Sequence, residues 1–138
     1  MLREACQFRP DSFPYSVLVP NEQGMQMLLK ANEESVAACG RPVISQVCLL
    51  TAASEKFCKR NLNSTIKESF DRMEPVLRLA MRHGIAVKFY VSCCFACPFE
   101  GPISPDQAID VLYFIGQKLD HSDMWDRGDH FENELIPR

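Results

Sequence analysis

The densest chemistry in the chain lies at Cys93-Cys94-Phe-Ala-Cys97, where three thiols fall within five residues. Cys94 and Cys97 have the C-x-x-C spacing that serves a redox pair or one half of a tetrahedral zinc site. A zinc site needs a second half, and the chain holds no other C-x-x-C and no H-x₃-H. The simpler reading makes these cysteines structural or pocket-lining, with the C-x-x-C spacing incidental. Cys93, at the end of an apolar run, is expected to face the mouth of a site.

The elements around this segment explain its place. Residues 85–91 are apolar, β-branched and aromatic, the pattern of a strand buried on both faces as in a parallel sheet. Downstream, Ser104-Pro105-Asp106-Gln107 reads as a helix start, with Ser as N-cap, Pro at the first helical position and Gln three residues on. The cysteine segment is therefore a βα loop at the carboxyl end of a parallel strand, where ligands collect in α/β sheets and barrels.

The rest of the chain repeats this unit. A first strand is expected at residues 15–19, then a helix from Glu22 with Met25, Leu28, Leu29, Asn32 and Val36 on one face, ended by Cys39-Gly40. A second strand covers residues 43–50, followed by a long loop over 51–63, a length that in compact domains signals function. Thr65-Ile-Lys-Glu68 is a capping box opening a helix whose stripe is Ile66, Phe70, Met73, Leu77 and Ala80. Gly84 stops it and His83 sits beside the C-terminal dipole. The last helix, from Ser104, sets Ala108, Val111, Leu112, Ile115 and Leu119 on one face. Met25, Met27, Met73 and Met81 read as core fillers. These are three βα units in succession, right-handed by expectation. They suit a small doubly wound sheet or part of a (β/α)₈ barrel, a full barrel taking about 250 residues.

Composition narrows the function classes. The chain has 138 residues, 46% apolar and 24% charged, enough for about one domain. Its net charge of −3 gives no basic stripe for nucleic acid, and no apolar run approaches a membrane span. No apolar signal core opens the chain, and Glu4 and Asp11 argue against a mitochondrial presequence. Seven cysteines, several inside apolar runs, suit buried thiols better than a disulfide framework. No glycine-rich phosphate loop follows any strand, so a dinucleotide site has no support. Residues 120–138, with His121, His130 and Asp120, Asp123, Asp126 and Asp129, match no calcium-loop spacing and read as a disordered acidic tail.

An ordered set of motifs then resembles one family. Tyr15-Ser-Val-Leu-Val-Pro-Asn21, Ala52-Ala-Ser-Glu55, Phe57-Cys-Lys-Arg-Asn-Leu-Asn63, Tyr90-Val-Ser-Cys93 and Cys97-Pro-Phe-Glu-Gly101 resemble, in order and spacing, the middle of the 3-hydroxy-3-methylglutaryl-CoA lyases. The resemblance runs from about residue 15 to about residue 119. It implies an α/β fold that is a partial (β/α)₈ TIM barrel, three parallel βα units from strands three to five. Residues 1–119 would be this partial barrel domain.

The implied activity is metal-dependent retro-aldol cleavage of 3-hydroxy-3-methylglutaryl-CoA to acetyl-CoA and acetoacetate, in leucine breakdown and ketone-body formation. The implied cofactor is Mg or Mn, polarising the substrate oxygens. The family's Arg-Asp pair, His-x-His pair, metal-binding Asn and loop Cys have no counterpart here, so no catalytic residue and no metal ligand is assigned. The run from Gly24 to Ala52 is also longer than the family's.

By resemblance, Asn61 matches a position that helps hold the CoA moiety, and Lys59 and Arg60 suit its phosphates as a cation pair beside an amide. Ser54, Tyr90, Ser92 and Cys93 sit at strand ends and complete the candidate substrate site, with ordinary barrel-layer packing as the alternative reading. The expected location is the mitochondrial matrix in a eukaryote and the cytoplasm in a bacterium. The expected partners are a CoA thioester and other chains, met through open sheet edges or in a homo-oligomer. The alternative function is a non-catalytic truncated product that only associates.

Overall fold

The computed structural model describes residues 15–120, with side chains to residue 117. The order is β1 (Tyr15–Leu18), α1 (Glu22–Cys39), β2 (Ile44–Ala52), α2 (Glu55–Leu62), α3 (Ile66–Arg82), β3 (Ala86–Ser92), β4 (Ala96–Cys97), β5 (Gly101–Pro102) and α4 (Pro105–Asp120). Residues 1–14 and the acidic tail beyond Asp120 lie outside the described residues.

β1, β2 and β3 form one parallel sheet in that order, with Leu18 beside Cys48 and Cys48 beside Lys88. Both crossovers step the same way across the sheet, and right-handed connections then put their helices on one face. The core agrees. Val47 and Leu49 of β2 and the half-buried Phe89 of β3 pack with Met25 and Leu28 of α1, Phe70, Met73 and Val76 of α3, and Val111 and Ile115 of α4. A doubly wound sheet would place helices on both faces, so this is the singly wound wall of a barrel.

The other sheet face corrects the expectation for β3. Ala86, Lys88 and Tyr90 are exposed while Val87, Phe89 and Val91 are half-buried, so the strand is covered on one face only. Among the described residues no element lies over Leu18, 56% exposed, or Tyr90, 47% exposed. In a closed barrel that face is filled by side chains from strands round the cylinder, and only three of them are described.

Helix ends follow the sequence closely. Asn21 caps α1 by accepting from Gly24 N–H at 3.0 Å, and Gly40 closes it in the left-handed region at φ 77°. The buried stripe of α1 is Met25, Leu28, Asn32 and Ser35, not the expected line through Val36, which is exposed. Ser35 turns inward because its hydroxyl accepts from Val43 N–H at 3.2 Å and so secures the entry to β2. The long Gly24–Ala52 run is thus taken up by an 18-residue helix and a 9-residue strand. On α4 the buried residues are Val111 and Ile115; Leu112, expected beside them, is exposed.

The Thr65–Glu68 capping box is fully formed: Thr65 Oγ1 accepts from Glu68 N–H at 3.1 Å, and Glu68 Oε2 accepts from Thr65 N–H at 2.7 Å. The Thr65 backbone and side-chain hydrogen bonds hold the Glu68 carboxyl below its ordinary range. Its contribution is therefore present above the unfolded-state carboxyl pKa and is lost as pH falls through the lower folded value. Thr65→Ala is expected to cost about 1 kcal/mol in urea unfolding. It should also move the Glu68 carboxyl resonance toward an ordinary titration midpoint.

Among the described cysteines, Cys48, Cys58, Cys93, Cys94 and Cys97 are free thiols. Cys39 is disulfide-bonded.

Candidate functional site

The carboxyl ends of β2 and β3 lie side by side, Ala52 opposite Ser92, and Ala53 N–H donates to Ser92 O at 2.9 Å. Two segments leave from there. After β2 the chain enters α2 directly, so most of the expected 51–63 loop is helix. After β3 it turns sharply at Cys93, a non-glycine residue at φ 60° in the left-handed region, and returns through the β4–β5 hairpin.

The two segments are tied together at several points. Ser54 Oγ donates to Cys97 Sγ at 2.9 Å and accepts from Phe57 N–H at 3.0 Å, so one hydroxyl caps α2 and anchors the hairpin. Glu100 Oε1 accepts from Lys56 N–H at 2.6 Å, satisfying a second free donor of the α2 N-terminus. The Arg60 guanidinium lies 4.5 Å above the Phe99 ring, and the Phe57 and Phe99 rings are tilted at 6.3 Å. The hairpin is therefore the lid on the first turn of α2.

Lys59, Arg60 and Asn61 are exposed on α2, with Arg60 laid over Phe99. Ser54 is fully buried and spends its hydroxyl on Cys97 and Phe57. Tyr90 lies on the uncovered sheet face, with the Lys88 ammonium 5.3 Å from its ring centre. Ser92 and Cys93 are half-buried at the strand end.

Glu100, Phe99 and Phe57 were not singled out as site residues, because their partners are up to 44 residues distant and leave no local spacing. Among the described residues no group of three His, Cys, Asp or Glu side chains could hold a metal ion.

Burial pushes up the thiols of Cys58, Cys93 and Cys94. Cys97 moves the other way. Burial alone would raise it, but hydrogen bonds from Ser54, from the Phe99 and Glu100 amides and from Cys93 together bring it below an ordinary thiol.

A separate open groove of about 490 Å³ lies at the opposite, amino-terminal end of the sheet, between α1, β2 and the turn at Gly84. Barrel chemistry is built at carboxyl ends, so the candidate site is the α2–hairpin junction.

No family model matches the chain. The hydroxymethylglutaryl-CoA lyase of Pseudomonas mevalonii is 39% identical over 109 residues, covering 77% of this chain and 33% of that protein. The human mitochondrial hydroxymethylglutaryl-CoA lyase is 42% identical over 97 residues, 70% of this chain and 26% of that one. This chain belongs, as a partial segment, to the hydroxymethylglutaryl-CoA lyase family. The crystal structure of the lyase from Brucella melitensis superposes with a TM-score of 0.66 at 36% identity, covering 84% of this chain and 38% of that one. The chain thus spans about a third of the length of the lyases it matches. Their three parallel strands are continuous with a TIM barrel, which accounts for the uncovered sheet face. Relatives named as mitochondrial and as cytoplasmic forms both occur.

Proposed function

We propose that this chain is the CoA-side wall of a hydroxymethylglutaryl-CoA lyase barrel. In the whole barrel the reaction is retro-aldol cleavage of 3-hydroxy-3-methylglutaryl-CoA to acetyl-CoA and acetoacetate. In this reading Lys59 and Arg60 meet the CoA phosphates, Asn61 helps hold the CoA moiety, and Ser92, Cys93 and Tyr90 line the mouth of the pocket. Ser54 acts one step back, fixing α2 against the hairpin. The observation that carries the reading is the convergence of α2 and the Cys93–Gly101 segment at the carboxyl ends of β2 and β3, in a chain about 40% identical to these lyases.

The family reaction draws its Lewis acid from Mg or Mn. The described residues offer that ion no cluster of ligands. What these residues do is hold and orient a CoA thioester. The chain with substrate and Mg²⁺ or Mn²⁺ is therefore expected to release no acetoacetate above background. It should bind CoA weakly in calorimetry, and a double Lys59→Ala, Arg60→Ala variant should weaken that binding about tenfold, as loss of charge-assisted contacts to phosphate predicts. Turnover at the rate of an intact lyase, or binding indifferent to both cations, would overturn the reading.

The uncovered face favours a second reading, association with other chains. Leu18 and Tyr90 are largely exposed on it, and β1 and β3 are sheet edges among the described strands. Sedimentation velocity is expected to show self-association that rises with concentration and is reduced by Leu18→Lys.

A further inference from the structure

We propose that the uncovered sheet face, the outer edge of β3 and the exposed strip of α4 form one docking surface, whose occupant is the remainder of a lyase barrel carried on a separate chain and presenting a carboxylate to Lys88. This rests on the barrel-wall reading above, but not on CoA binding.

The direction of growth comes from α4. β1, β2 and β3 follow one another in a single direction, so a crossover that begins with α4 leads toward the outer edge of β3. α4 has two apolar sides. Val111 and Ile115 pack into the core, while Ile109, Leu112 and Tyr113, at helical spacing i, i+3, i+4, form a second strip that is largely exposed. A further βα unit would pair its strand with β3 and cover that strip with its helix.

Charge then decides what the occupant must carry. Paired residues of neighbouring strands point to the same side, which sets Lys88 in one row with Cys48 and Leu18 on the uncovered face. β1, β2 and β3 contain no Asp or Glu, and Lys88 is their one charged residue. Its ammonium lies 5.3 Å from the Tyr90 ring centre, open to water. In a closed barrel this row is interior and filled by side chains, where an unpaired ammonium is costly. A carboxylate on a facing strand is what that position demands.

Copies of this chain meet neither requirement. Two copies bring six strands and three bring nine, against the eight of the cylinder, and each copy adds a Lys88 and no strand acid. They can touch through Leu18 and Tyr90, but they close nothing. The Brucella melitensis lyase, of which this chain covers 38%, has the larger part of such a barrel left over.

The test co-expresses the tagged full chain with the Brucella melitensis lyase lacking the matched stretch, and uses the excised stretch as the reference partner. Affinity purification followed by sedimentation velocity is expected to show a 1:1 complex. Lys88→Met should weaken it about 100-fold, because the facing carboxylate is then buried alone. Leu112→Asp should weaken it about tenfold by removing apolar burial. In the chain by itself Lys88→Met should leave the urea midpoint unchanged.

No complex where the excised stretch forms one, a complex indifferent to Lys88→Met, or copies that outcompete the lyase remainder would each overturn the proposal. So would a lowered midpoint for Lys88→Met in the chain by itself, since a segment of this chain would then already meet the ammonium. A single polypeptide in which residues 15–119 replace the matched stretch of the lyase tests the charge without assembly from pieces. There Lys88→Met should lower the unfolding midpoint and Lys88→Arg should keep most of it; equal midpoints for all three would overturn the proposal. CoA binding without a complex defeats this inference alone, and a complex without CoA binding defeats only the CoA-side reading.

Discussion

Phe70→Ala is expected to destabilise the chain by about 3–5 kcal/mol, the range for removing a buried aromatic ring from a packed core. Phe70 is 3% exposed at the centre of the α3 stripe. Its ring meets Phe114 of α4 at 4.8 Å and 57°, in a tilted geometry that adds to burial. Removing the ring opens a cavity where α3, α4 and the helix face of the sheet meet, and rigid neighbours fill such a space only in part. Since domains are stable by about 5–15 kcal/mol in total, this variant should lose at least about a fifth of its stability. Phe70→Leu, which keeps most of the volume, should lose less than about 1.5 kcal/mol. Phe95→Ala is the control: its ring is 90% exposed, so the change should fall within about 0.5 kcal/mol. Urea unfolding followed by circular dichroism ranks the three. Equal midpoints for Phe70→Ala and Phe95→Ala would mean that α4 does not pack on α3 as described.

The parts of the fold that could be read from the sequence are those whose signal is local. Thr65 and Glu68 are three residues apart and satisfy each other, so the start of α3 is written in four letters. The α3 stripe repeats over a 17-residue helix, long enough for its period to stand out. α2 escaped because its only fully buried residue is Cys58, and Lys56, Lys59 and Arg60 read as loop charge. What holds it is the Ser54 cap and the Glu100 carboxylate, and the latter arrives from the far side of β3. The β4–β5 hairpin has two residues per strand, too short for any alternation. Strand β3 looked buried on both faces because its composition suits a closed barrel, a context that three strands do not supply. At the site, composition located the thiols but not their surroundings: Cys94 turns its thiol to the Val91 carbonyl, and Cys93 takes a positive φ that no non-glycine residue announces.

Asn32→Ala is the second large effect, and it acts through the backbone of β2 rather than through the core. Asn32 Nδ2 donates to Ile44 O at 2.7 Å, and Asn32 Oδ1 accepts from Ile44 N–H at 2.9 Å. One side-chain amide thus pairs with both polar groups of the first residue of β2, as a neighbouring strand would. Alanine takes the Asn32 partner from both groups in a largely buried place, at about 1–3 kcal/mol each, so a total loss of about 2–6 kcal/mol is expected. Asn32→Asp separates this account from simple packing. The ionised carboxylate still accepts from Ile44 N–H but faces the Ile44 carbonyl with no proton to donate, whereas the protonated acid can serve both groups. Its folded-state pKa must then lie above its unfolded value. The extra stability of the protonated form is present below the unfolded pKa and disappears as pH rises through the folded one. The stability gap between Asn32→Asp and wild type should therefore narrow as pH is lowered, while the gap for Asn32→Ala stays constant. A gap for Asn32→Asp that is flat with pH would show that the Ile44 carbonyl does not depend on this donor.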